Sequence, residues 1–136
     1  MGKQPAMGNK NYAYSDPGKI RKINEDFFIT DCKQGFWLLA DGVGGRAGGE
    51  IASRHACQVI QNEVKGGKNV ATAIQFAHRS ILTLQQHRPD CAEMATSVIV
   101  LKIIKDTCTV HWVGDSRAYL YSQNTLMQLT QDPRCG

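Results

Sequence analysis

Leu38-Leu39-Ala40-Asp41-Gly42-Val43-Gly44-Gly45-Arg46-Ala47-Gly48-Gly49-Glu50 is the stretch on which the reading of this chain turns. An apolar run ends in an aspartate, glycines crowd the next positions, and a helical pattern begins. That order reads as a buried strand, a glycine-rich turn and the first turn of a helix. Upstream, Asn11 to Asp16, Phe27 to Asp31 and Phe36 to Ala40 collect aromatic and β-branched residues and predict three strands, separated by the turns Asp16-Pro17-Gly18 and Lys33-Gln34-Gly35. Downstream, Ala52, Ala56, Val59/Ile60 and Glu63/Val64 recur at helical spacing from Gly49 until Gly66-Gly67 stops the run. Asn69 then caps a second helix whose stripe is Val70, Ile74, Ala77, Ile81 and Leu84, ending before Pro89.

After a loop at Pro89 to Glu93, Ser97 to Ile104, Thr107 to Val113, Ala118 to Tyr121 and Leu126 to Thr130 read as strands. The short breaks Lys105-Asp106 and Ser122-Gln123-Asn124 predict hairpins. Strands, two helices, then strands is the order of a layered α+β domain rather than of alternating βαβ units.

The 136 residues make about one domain, or part of one. Sixteen Lys and Arg against 12 Asp and Glu leave a net charge of +4 with no block of like charges, which gives nucleic-acid binding little support. The longest strongly apolar stretch, Ser97 to Ile104, is broken by Lys102 and falls far short of the roughly 20 residues of a membrane span. The polar start, Met1 to Lys10, carries neither an export nor a lipid-anchor signal, and the expectation is a cytoplasmic protein. Cys32, Cys57, Cys91, Cys108 and Cys135 form no close pair and read as cytosolic thiols, Cys57 and Cys108 as small core residues. His55, His78, His87 and His111 share no metal-ligand spacing and read as surface residues, while Trp37 and Trp112 read as core aromatics.

Three readings compete for the glycine-rich turn. Gly42-x-Gly44-x-x-Ala47, with Glu63 about 20 residues on, formally matches a dinucleotide fingerprint, but two helices follow where a second parallel strand is needed, and Asp41 would repel a pyrophosphate. A turn shaped only for packing is the second. The third uses Asp41: a carboxylate at a strand end beside the Gly42 carbonyl offers hard oxygens to a divalent cation, and Glu25-Asp26 precede a strand that could lie alongside.

Four separated blocks then resemble the metal-dependent protein phosphatase family, type 2C, in that family's order. They are Ser15-Asp16-x-Gly18-x-x-Arg21-x-x-Asn24-Glu25-Asp26; Asp41-Gly42-Val43-Gly44-Gly45 running to Gly48-Gly49-Glu50-x-Ala52-Ser53; Ala95-Thr96-Ser97; and Val113-Gly114-Asp115-Ser116-Arg117-Ala118-Tyr119-Leu120 with Leu129-Thr130-Gln131-Asp132. The resemblance implies a four-layer α-β-β-α sandwich of two antiparallel sheets, with two Mg²⁺ or Mn²⁺ ions at one end and a third, weaker one nearby. It implies that Asp41 bridges both ions, Glu25 and the Gly42 carbonyl complete part of one shell, Asp26 supports the cluster, Asp115 is an outer ligand, and Arg21 grips the substrate phosphate. The implied reaction is hydrolysis of phosphoserine or phosphothreonine in proteins by an activated water, opposing a serine/threonine kinase.

Plainer readings stand beside these roles. Arg21 and Glu25 could form a surface ion pair, Asp41 a turn, and Asp115-Ser116-Arg117 a hydrogen-bonded corner, while Thr96 and Ser97 read as strand residues packed beneath the site. The match spans nearly the whole chain but only the N-terminal half of the family's domain, so residues 1–136 read as a partial, truncated domain. The family's downstream Asp-Gly and Asp-Asn ligands are missing, and Pro133 follows Asp132 where the family usually has His. A weak or inactive phosphatase is thus expected. The alternative is a non-catalytic remnant that binds phosphopeptides or a protein partner through Arg21 and an exposed sheet edge.

Overall fold

The computed structural model describes residues 10–45 and 47–134, so Arg46 of the glycine-rich turn, the polar start before Lys10, and Cys135 lie outside the described residues. Two strands, β1 (Asp26–Asp31) and β2 (Phe36–Val43), lead into the helices α1 (Gly48–Lys65) and α2 (Val70–His87). A 3₁₀ turn, Pro89–Cys91, then precedes β3 (Ala95–Ile104), β4 (Thr107–Val113), β5 (Tyr119–Ser122) and β6 (Thr125–Gln128). The first four strands make an antiparallel sheet in the order β1-β2-β3-β4, and β5-β6 form a separate two-stranded ribbon. The α+β reading therefore holds. Antiparallel pairing on both sides of β2 overturns the dinucleotide fingerprint, which requires a parallel βαβ unit, and Glu63 ion-pairs with Lys68.

Alternation along β2 decides where the layers meet. Phe36, Leu38 and Ala40 are buried, and their neighbours across the ladder, Val98 and Val100, are buried with them. This inner face receives both helices. Ala52, Ala56, Cys57 and Ile60 of α1 and Val70, Ala73, Ala77 and Ile81 of α2 complete the cluster, closed at one end by Cys91 and Met94. Alanines dominate the contact stripes because a short side chain lets packed elements approach closely. Asn69 caps α2 as expected, its side chain accepting the Thr72 N–H at 2.8 Å.

Three expectations are corrected. Asn11 to Asp16 forms no strand; its aromatics fit the pattern, but no neighbouring strand takes up the backbone, and Tyr12 remains 94% exposed. The segment instead closes on itself through Asp16, whose Oδ1 accepts the Gly18 N–H at 2.7 Å. Cys108 is exposed rather than in the core, since β4 is an edge strand in this sheet. His55 is not a surface residue: it is half-buried on α1, with Nε2 2.6 Å from the Ser80 hydroxyl of α2. Cys57 is fully buried as expected, and burial pushes its thiol up to about 12. The hairpins fall where the short breaks place them, with Gln123 and Asn124 at φ 50° and 61°, the left-handed pair of a two-residue turn.

Candidate functional site

The glycine-rich stretch does not leave the strand at Asp41. β2 runs on to Val43, which places Asp41 inside the ladder, directly opposite Asp26 on β1 and Ser97 on β3. Because side chains alternate, Asp26, Asp41 and Ser97 share the outer face, away from the helices. Two like charges opposite each other oppose sheet formation, so this pair costs stability where it stands. Gly42 follows on the inner face and explains how the turn can be so tight. A Cβ at Gly42 would sit 1.9 Å from the Gly49 carbonyl oxygen and 2.9 Å from that of Glu25, so only glycine lets β2 cross the start of α1. The Gly42 N–H donates to the Glu25 carbonyl at 3.1 Å, which ties the Glu25-Asp26 step to the end of β2.

Charge couples these acids. The Asp41 carboxyl is held above the usual aspartate range, first by partial burial and then by the charge and hydrogen bond of Asp26 and the charge of Asp115, with Arg21 pulling the other way. Asp115, 74 residues later in the chain, thus stands within electrostatic reach of Asp41. Glu25 takes a different direction. Its carboxylate lies against Gly49 at the start of α1, where the helix N-terminus favours an anion, and pairs with Arg21 through Nη1 at 3.2 Å. The surface ion pair read as an alternative is therefore present, with the Arg21 side chain 69% exposed and Glu25 largely covered.

The corner Asp115-Ser116-Arg117 is hydrogen-bonded, as the plainer reading has it, through partners that the sequence did not name. Gly114, at φ +99°, brings the turn against β3, where a Cβ would meet that of Ser97 at 2.6 Å. Ser116 and Ser97 share a hydroxyl–hydroxyl hydrogen bond of 2.6 Å. Arg117 grips Asp132 through two parallel bonds, Nε to Oδ1 at 2.9 Å and Nη2 to Oδ2 at 2.5 Å, while the Ala118 N–H donates to the buried Thr130 hydroxyl at 3.2 Å. The Trp112 indole donates to the Gln131 carbonyl at 3.1 Å. Trp112 and Trp37 are both only partly buried, on the outer face of the sheet. A serine among Ile99 and Leu101 on one strand face was the available signal.

The donor set suits a hard divalent cation in kind: carboxylate oxygens, partly exposed, whose mutual repulsion a cation would relieve. It does not suffice in number. Among the described residues, no three His, Cys, Asp or Glu side chains converge closely enough to hold a metal ion. Among the same residues, no helix is long and apolar enough to cross a membrane.

Comparison with known proteins agrees with the layout of the chain. The family model for Protein phosphatase 2C matches residues 21–135. This chain belongs to the protein phosphatase 2C family. Serine/threonine phosphatase stp of Listeria welshimeri is 32% identical over 131 residues, covering 87% of this type 2C chain and 52% of that relative. Serine/threonine protein phosphatase PstP of Mycobacterium tuberculosis is 31% identical over 126 residues, 88% of this chain and 24% of its own length. The crystal structure of that PstP superposes with a TM-score of 0.79 at 28% identity, over 88% of this chain and 52% of the solved one. A catalytic domain of PstP in complex with 2 manganese ions gives 0.79 at 30% identity, over 88% and 54%. The type 2C fold is shared, and the chain spans about half the length of Stp. The helix pair, the four-stranded sheet and the β5-β6 ribbon are thus a helical layer and two antiparallel sheets of the type 2C sandwich.

Proposed function

We propose that residues 1–136 are the N-terminal half of a type 2C domain that hydrolyses phosphoserine and phosphothreonine in proteins. The observation that carries this reading is the pairing of Asp26 with Asp41 across β1 and β2, with Asp115 and Arg21 close enough to shift the Asp41 carboxyl. Asp41, Asp26, Glu25, the Gly42 carbonyl and Asp115 are the groups that would hold two Mg²⁺ or Mn²⁺ ions and a third, weaker one. Such ions supply charge neutralisation and lower the pKa of a water that attacks phosphorus. Arg21 supplies the other half of substrate recognition. Its exposed guanidinium can hold two phosphate oxygens at once, and the largely covered Glu25 carboxylate pairs with it. PstP bound to two manganese ions supports the metal assignment, and the phosphatase names of Stp and PstP support phosphoproteins as substrates, in opposition to a serine/threonine kinase. Free thiols at Cys32, Cys57, Cys91 and Cys108 support a reducing compartment, the cytoplasm.

Calorimetric titration with Mn²⁺ should give heat from the intact chain and none from Asp41→Asn. Absence of heat from the intact chain, alone and after joining to the C-terminal half of a type 2C domain, would overturn the reading. Because the donors present are few, turnover of a phosphopeptide by the 136 residues alone should be weak. Robust Mn²⁺-dependent turnover abolished by Asp41→Asn would refute that second point. The same shortage of donors favours one other reading, a chain that binds phosphopeptides through Arg21 without hydrolysing them. Binding lost in Arg21→Ala, with no phosphate released from the bound peptide in the joined protein, would select it.

A further inference from the structure

Asp115 follows a glycine on a turn between strands, a setting that by itself leaves a carboxylate free to swing. Two anchors flank it. On one side, Ser116 Oγ bonds Ser97 Oγ at 2.6 Å, and Ser97 is the cross-strand neighbour of Asp41. On the other, Arg117 is clamped to Asp132 and Ala118 to Thr130, which fasten the far end of the turn to the segment that follows β6. Only the first anchor leads back to the carboxylates. The chain of contacts Asp41, Ser97, Ser116, Asp115 passes through one ladder pair, one hydrogen bond and one peptide link. Gly114 makes the approach possible, since its missing side chain would collide with Ser97. Thr96, the residue before Ser97 on β3, donates its hydroxyl to the Asp41 carbonyl at 3.0 Å and so fixes the strand end.

We propose that the Ser97–Ser116 hydroxyl pair is a positioning device that holds Asp115 toward Asp41 and thereby sets how tightly the carboxylate cluster takes a divalent cation. Neither serine is a ligand in this assignment. Each acts through Asp115, and the inference rests on the metal reading of the site. A serine hydroxyl is suited to the task because it is both donor and acceptor, so two of them close a contact without adding charge to a cluster that is already anionic. Replacing either by alanine leaves the backbone path intact and removes only the tether.

Mn²⁺ binding followed by electron paramagnetic resonance, which counts free aquo ion, tests this without any assay of turnover. Ser97→Ala and Ser116→Ala should each weaken Mn²⁺ affinity by roughly tenfold, the scale of groups that orient metal ligands. The double variant should be no weaker than either single one, because both remove the same contact. Ser116→Thr, which keeps the hydroxyl, should bind close to the unmodified chain. Asp115→Asn, as the reference for a lost ligand, should weaken binding at least as much as the alanine variants. Alanine variants that bind Mn²⁺ as tightly as the unmodified chain, or whose effects simply add, overturn the positioning role and leave the phosphatase reading in place. If Mn²⁺ binds neither the unmodified chain nor the chain joined to the C-terminal half of a type 2C domain, the phosphatase reading falls, and the positioning role falls with it.

Discussion

Asp26 and Asp41 stand opposite each other on one sheet face, an arrangement that folding alone disfavours. In the absence of metal, Asp41→Asn should therefore stabilise the chain by about 0.5 kcal/mol, the scale of a cross-strand charge pair. Urea unfolding in chelator measures this as a higher midpoint at an unchanged slope. Added Mn²⁺ should reverse the order, raising the midpoint of the unmodified chain and not that of the variant. Gly42 makes the opposite demand. Gly42→Ala must push its Cβ away from a carbonyl oxygen 1.9 Å distant, backbone against backbone, and should lower stability by about 2 kcal/mol or more in the same experiment. That Asp41 ends a buried run before a glycine-rich turn was legible from the sequence. That Ser97 lies beside it was not, because β3 follows two helices and only the register brings them together.

At the scale of elements, the α1–α2 contact carries a titrating group. His55 is held below its ordinary value of 6.5 by burial between the helices, so the folded chain prefers it neutral. The unfolded chain takes up a proton more readily, so stability is fully present above pH 6.5 and is lost as pH falls toward the lowered folded value. Urea midpoints at pH 7.5 and 5.5 should differ, and His55→Gln should shrink the difference. The N-cap of α2 is a separate element-scale test. Asn69→Ala should cost about 1 kcal/mol of stability. Helix periodicity, the cap and both hairpin breaks were readable because each depends on neighbours within a few residues. Asn11 to Asp16 was misread for the complementary reason: a strand needs a partner, and an aromatic pattern does not supply one.

Across the whole molecule the two faces of the sheet differ. Helices cover the inner face along β2 and β3, whereas Leu39 on the outer face is 42% exposed and Leu126 and Met127 of the ribbon are 64% and 55% exposed. Among the described residues, the Trp37 indole N–H is the buried side-chain polar group without a hydrogen-bond partner. Apolar surface of this kind drives association. Light scattering on the 136-residue chain should show assemblies larger than a monomer as concentration rises, and Leu126→Ser with Met127→Ser should reduce them. Joining the chain to the C-terminal half of a type 2C domain should remove the concentration dependence without any substitution.

From its residues alone this protein declared two helices, most of its strands and a layered α+β order, because those properties depend on local spacing and side-chain chemistry. The meeting of Asp41 with Asp26 and Ser97, the diversion of Glu25 toward Arg21 and the start of α1, and the exposure of Cys108 were decided by tertiary structure. Those outcomes depend on strand register and sheet order, which are set by how the apolar faces pack over long separations in the chain.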